Sequence, residues 1–178
     1  ALYIQKPSAM TPITIRPATV ADVPFMWDML FESAFTSDEA RAVWRSDPQP
    51  PPELVKYLDG WGRRGDAGVI AQDADGASIG AAWYRLFGTA DRGDGIMAER
   101  NVPELAIAVD PQHRGRRIGG DLLAALGRRA RDDGYERLML SVDPANFRAL
   151  RLYERAGFTL VETEDPARGT SLMMQLDL

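Results

Sequence analysis

The residues with the most chemical content stand together in one stretch, Val109-Asp110-Pro111-Gln112-His113-Arg114-Gly115-Arg116-Arg117-Ile118-Gly119-Gly120. An apolar strand pattern stops at Val109, a loop of Gly and Arg follows, and an amphipathic helix pattern begins. A helix start exposes backbone N–H groups and the positive end of the helix dipole, so it attracts anions and phosphate above all. Gly115, Gly119 and Gly120 let a ligand come close to the backbone, and Arg114, Arg116 and Arg117 add attraction at longer range. A structural Gly-rich turn, or a solvated basic face, accounts for the same residues. The Gly-Lys-Ser/Thr ending of a Walker A loop is missing, and so is the dinucleotide pattern G-x-G-x-x-G.

Composition narrows the chemistry. The chain has 178 residues, no Cys and one His, His113, which excludes disulfides, thiolate nucleophiles, zinc ribbons and multi-histidine metal sites. No metal is expected. A Ser-His-Asp triad would have to use His113, which sits among arginines in a polar loop. A net charge of −5 argues against wholesale nucleic-acid binding, yet residues 112–131 hold six arginines and a single acid, Asp121. An acidic protein with one concentrated basic segment suggests a local anion site. With 45% hydrophobic and 26% charged residues, the composition is that of an ordinary soluble domain, and no run approaches the ~20 apolar residues of a membrane helix. Residues 1–10 lack the pattern of a secretory signal and read as a leader or expression remnant before a single domain over 11–178. A cytoplasmic location, with no membrane partner, is the default expectation.

The elements that position this stretch follow from periodicity. Residues 13–16 alternate as a short strand, and Thr19 with Asp22 makes a capping-box pattern. Residues 25–35 suit a buried helix, 47–52 a stiff Pro-rich connector, and 53–59 another helix ending near Gly60. Strands are expected over 68–72 and 78–86, joined by a turn at 73–76, and a polar loop over 88–101. The strand 102–109 puts Leu105, Ile107 and Val109 on one face and Glu104, Ala106 and Ala108 on the other. Helices over 117–131 and 146–156, the second stopped by Gly157, flank a strand at 137–142; residues 158–164 and 171–178 form a hairpin-like pair. This order predicts an α/β (α+β) fold, a mixed, largely antiparallel central sheet flanked by helices.

Read together, the strand 104–109, the loop and helix start 112–120, and the segment Asn146-Phe147-Arg148-Ala149-Leu150-Arg151-Leu152-Tyr153-Glu154-Arg155-Ala156-Gly157-Phe158 resemble the GNAT superfamily of N-acetyltransferases. The family's acetyl-CoA signature, Q/R-x-x-G-x-G/A, laid on residues 114–119 matches at Arg114 and Gly119; Arg117 stands where the first glycine is expected. The resemblance implies a GNAT-like acyl-CoA-binding fold and acetyl-CoA as co-substrate. It implies transfer of an acetyl group to a primary amine on a small molecule or peptide. Homodimers are common in the resembled family. Without a Cys to carry a thioester, direct attack in a ternary complex is favoured over a ping-pong route. The runner-up is a non-catalytic acyl-CoA-binding sensor or interaction module on the same fold, and a nucleotide-binding domain is a third reading.

By the same resemblance, backbone N–H groups from Arg116 through Arg117, Ile118 and Gly119 to Gly120 hold the pyrophosphate, and the pantetheine arm pairs with Ile107, Ala108 and Val109 like an added strand. Small side chains at Ala106 and Ala108 permit that approach, or pack under a helix. Tyr153 protonates the leaving thiolate; its place on the apolar stripe Ala149, Leu152, Tyr153, Ala156 also suits a core tyrosine. Asn146 binds the cofactor's amide groups, caps its helix, or does both. Glu104 takes a proton from the amine, or is an ordinary exposed Glu. Backbone N–H groups near Ile107 steady the developing oxyanion. For the acceptor, Asp91, Asp94 and Glu99 suit a cationic amine while Arg92 and Arg100 dilute their charge; Trp27, Phe31, Trp44, Tyr57, Trp61 and Trp83 line a cleft or fill the core.

Overall fold

Alternating apolar residues build strands, and 3.6-residue stripes build the helices that cover them. The computed structural model describes residues 12–35, 37, 39, 42–43, 50–87, 101–161 and 171–178. The expected leader, Trp44, the first half of the Pro-rich connector, the acidic loop with Asp91, Asp94 and Glu99, and residues 165–170 lie outside the described residues. The elements run β1 (Thr14–Pro17), α1 (Val23–Ala34), α2 (Pro52–Val55), β2 (Asp66–Gln72), β3 (Ser78–Arg85), β4 (Glu104–Val109), α3 (Ile118–Asp132), β5 (Arg137–Val142), α4 (Phe147–Arg155), β6 (Thr159–Val161) and β7 (Leu172–Asp177). Among the described residues, no helix is long and apolar enough to cross a membrane.

Seven strands form one sheet in the order β1-β2-β3-β4-β5-β7-β6. Every neighbouring pair is antiparallel except β4 and β5, so the sheet is mixed and mostly antiparallel, as expected. β4 is laddered to β3 along its whole length, from Arg85↔Glu104 to Gly80↔Val109. Toward β5 its register holds only Glu104↔Met139, supported by the Met139 N–H on the Pro103 carbonyl at 3.0 Å. Beyond that point the two central strands part company.

The sheet's two faces carry separate cores. Leu105 and Ile107 of β4 pack with Leu122 and Leu126 of α3, Leu138 and Leu140 of β5, and Tyr153 of α4. Ala106 and Ala108 pack with Met26, Met29 and Leu30 of α1, together with Ile70, Ala81 and Trp83. The start of α1 is anchored where the sequence places its cap. Arg16 donates two hydrogen bonds to the Asp22 carboxylate at 2.8 and 2.7 Å, and the Thr19 N–H adds a third at 2.8 Å. The Arg16 guanidinium, with help from Thr19 and against the cost of burial, holds the Asp22 carboxyl at about 2.

One expected helix is shorter than its pattern suggests. Regular helix ends at Val55, and residues 56–60 continue as turns closed by Tyr57 N–H to Leu54 O and Leu58 N–H to Val55 O. The Lys56 and Asp59 carbonyls turn instead to the Arg85 guanidinium, at 2.8 Å each. A tertiary contact has drawn those carbonyls away from a helical ladder.

Candidate active site

Where β4 and β5 separate, a cleft of about 590 Å³ opens against the starts of α3 and α4. Ile107, Ala108 and Val109 form its β4 wall, and Arg114, Gly115 and Arg117 its loop. Ile118, Gly119 and Gly120 bring the first turn of α3 to it, while Asn146 and Tyr153 come from α4. The structure therefore gathers these eleven predicted residues at one place. Arg116 and Glu104 are not on the cleft wall. Arg116 Nη1 lies 3.0 Å from His113 Nδ1, and Glu104 sits on the other face of β4.

The loop is shaped by local hydrogen bonding. Asp110 accepts from the Gln112 N–H at 2.8 Å, which sets a single 3-10 turn over Pro111–His113. Gly115 then adopts φ +79° and Arg117 φ +63°. Left-handed backbone suits glycine and costs another L-residue roughly 1–2 kcal/mol. Arg117, at the signature's glycine position, thus holds a left-handed backbone and lines the cleft. Arg117 flanks α3, whose first-turn N–H groups have no partners within the helix. At Gly119 a Cβ would stand 3.0 Å from Leu152 Cδ2, so a side chain there would require the Leu152 side chain to give by a few tenths of an ångström.

The charges around the cleft differ from the sequence expectation. Arg114 donates to the Val109 carbonyl and to Glu32 of α1, both at 3.1 Å, so it clamps the end of β4 to α1. Arg148 and Arg155 also line the cleft, from the polar flank beside the α4 stripe of Ala149, Leu152, Tyr153 and Ala156. They are seven residues apart, two helical turns on one face, which is the signal that could have paired them.

Tyr153 meets both of its sequence descriptions. It is only 8% exposed and belongs to the core beneath α3 and α4, yet it also borders the cleft. Burial pushes its hydroxyl well above the ordinary tyrosine range, so the group keeps its proton at neutral pH. Asn146 caps α4 by accepting the Ala149 N–H at 3.1 Å, and it faces the cleft as well. Ala108 packs under α1 and still contributes to the cleft wall.

Glu104 corrects the alternative of an ordinary exposed Glu: it is 1% exposed. The Tyr57 hydroxyl donates to Glu104 Oε1 at 2.5 Å, and Arg85 stands opposite Glu104 on β3. Trp27, Tyr57, Trp61 and Trp83 pack into the α1 core, and Phe31 stacks on Trp27 at 5.9 Å. That set is therefore largely structural, with Tyr57 the member that reaches a carboxylate.

Comparison with known proteins agrees with this geometry. The Acetyltransferase (GNAT) family pattern matches residues 27–158. Mycothiol acetyltransferase of Thermobispora bispora is 37% identical over 133 residues, covering 75% of this chain and 42% of that protein. The chain thus spans about two fifths of that relative's length. L-methionine sulfoximine/L-methionine sulfone acetyltransferase of Pseudomonas paraeruginosa is 28% identical over 167 residues, 93% of this chain and 90% of the relative. Ribosomal-protein-alanine N-acetyltransferase from Brucella melitensis superposes with a TM-score of 0.66 at 25% identity, over 93% of this chain and 99% of that one. A phosphinothricin acetyltransferase from Sinorhizobium meliloti, solved in complex with AcCoA, shares the fold with a TM-score of 0.62 at 24% identity, over 95% and 89% of the two chains. With the family pattern running from α1 to Phe158, across both central strands and the whole cleft, the chain belongs to the acetyltransferase (GNAT) family.

Proposed function

We propose that this protein transfers an acetyl group from acetyl-CoA to a primary amine of a small molecule or peptide, the amine attacking directly while both substrates are bound. The observation that carries this reading is the early end of the β4–β5 ladder at Glu104↔Met139, which leaves main chain at Ile107–Val109 open to a cleft bordered by a buried tyrosine.

The residues fit such a co-substrate. Peptide groups on the open edge of β4 suit an arm that itself contains amides, in the manner of strand addition. First-turn N–H groups of α3 suit a diphosphate, and Arg148 and Arg155 supply positive charge for phosphates. Bound acetyl-CoA would supply an activated acetyl group. Tyr153, protonated at neutral pH as tyrosines ordinarily are and the more so for its burial, donates its proton to the departing sulfur. A β4 N–H near Ile107 steadies the carbonyl oxygen as charge develops there. Glu104 accepts the proton released by the ammonium group, through water where the amine stands back from the strand. The small-molecule acceptors in the names of the relatives favour a compact amine over a protein surface.

Two linked measurements test this. Saturating acetyl-CoA should raise the melting temperature by binding the folded state. Free CoA thiol should appear only when an amine from a panel is added. The panel should include L-methionine sulfone, free L-amino acids and an alanine-terminated peptide. No thermal shift together with no amine-dependent thiol release contradicts the reading.

A further inference from the structure

We propose that Tyr57 is a positioning residue for the amine-side base: its hydroxyl fixes the Glu104 carboxylate, and the turn that carries it is built to hold it there. The inference deepens the proposed function and rests on Glu104 acting as the base.

The first observation is the contact itself. Tyr57 and Glu104 are 47 residues apart, and the Tyr57 hydroxyl donates to Glu104 Oε1 at 2.5 Å. Glu104 is 1% exposed. A buried carboxylate needs donors to remain an acceptor of protons, and an O–H donor to a charged oxygen is among the stronger ones. The bond also fixes the carboxylate's rotamer, and so the direction from which it can reach an amine.

The second observation is independent of the hydroxyl. The backbone around Tyr57 is held at three points by β3 side chains. Arg85 Nη1 donates to the Lys56 and Asp59 carbonyls at 2.8 Å each, and the Trp83 indole N–H donates to the Tyr57 carbonyl at 3.2 Å. Arg85 is in turn fixed by Asp66 through Nε at 2.9 Å and Nη2 at 2.8 Å. The Tyr57 ring meets Phe87 edge-on, with centroids 5.5 Å apart. Both anchors come from β3, the strand laddered to the segment that bears Glu104, at Trp83↔Ala106 and Arg85↔Glu104. One strand therefore sets both partners of the hydrogen bond.

A double-mutant cycle on the full chain tests this, using acetyl-CoA and the fastest amine of the panel above. Tyr57→Phe keeps the ring and its packing but takes a donor from a buried carboxylate, so melting temperature should fall by a few degrees while acetyl-CoA KM changes little. Its kcat/KM for the amine should fall roughly 10-fold. Glu104→Gln should fall roughly 10²–10⁴-fold. The double variant should match Glu104→Gln within about twofold, because Tyr57 acts through Glu104. Two results overturn the positioning role and leave the base in place: an unchanged Tyr57→Phe beside a crippled Glu104→Gln, or losses that multiply in the double variant. An unchanged Glu104→Gln overturns the base and this inference with it. Failure of every amine to release CoA from acetyl-CoA overturns the proposed function as a whole.

Discussion

The two faces of β4 solve different problems with different materials. On the Ile107 side the cleft is made chiefly of main chain, small residues and helix starts, with the uncharged Tyr153 buried at its edge and the Glu32 carboxylate already held by Arg114. On the Glu104 side the buried groups are charged: Glu104 with Tyr57, and Arg85 with Asp66 at 2.8 Å, whose side chains are 2% and 1% exposed. A flexible, multiply charged co-substrate is best met by backbone donors that cost nothing to orient, with arginines at the rim. A single proton transfer needs one carboxylate held in one place, and that takes a network.

Tyr153→Phe probes the first face and carries the largest expected effect. Removing the proton donor should lower turnover roughly 10²–10⁴-fold while acetyl-CoA affinity stays within about twofold, read by CoA release and by calorimetric titration. Equal turnover would leave Tyr153 as a core residue only. Arg85→Met probes the second face. Asp66 would be left buried without its cation, and the Lys56 and Asp59 carbonyls without their donor, so unfolding in denaturant should show a loss of about 3 kcal/mol or more. A loss under about 1 kcal/mol would mean that the charged network does not hold the turn.

Smaller effects refine the contrast. Arg117→Gly removes a side chain from left-handed backbone and should raise stability by about 1 kcal/mol. Acetyl-CoA binding should be equal or tighter, checked by melting curves and titration. A severe loss of affinity would show that the guanidinium itself grips phosphate. Asp22 supplies a pH signature for the α1 anchor. Its folded carboxyl titrates at about 2, below the unfolded value near 4, so its contribution is complete above about pH 4 and is lost as pH falls through about 2. With Arg16 partly in solvent, about 1 kcal/mol is expected. Asp22→Asn should remove that part of the acid slope in urea unfolding measured from pH 5 down to pH 2.

The same contrast explains what could be read from the chain. The Ile107 face was legible because its parts are contiguous: a strand end, a Gly/Arg loop and a helix start within 109–120, then a helix opened by Asn146 and closed by Gly157. The positions of the strands along the chain follow from their alternation and turns, whereas their order in the sheet does not. The Glu104 face was not legible, because the Tyr57 contact joins residues 47 apart through the register of β3 on β4. Helix periodicity over 53–59 carried no sign that Arg85 would draw off two carbonyls and end regular helix at Val55. For α4, the apolar stripe fixed the buried side but not which polar flank meets the cleft, so Arg148 and Arg155 were missed. Arginine at position 117 gave no hint of positive φ, which the backbone nevertheless requires there.

The most direct test is a crystal structure of the full chain with acetyl-CoA bound. The expected result places the diphosphate on the first-turn N–H groups of α3, the amide-bearing arm along Ile107–Val109, and the sulfur within hydrogen-bond reach of the Tyr153 hydroxyl. A co-substrate seated elsewhere, or bound with its sulfur away from Tyr153, would contradict the assignment of this cleft.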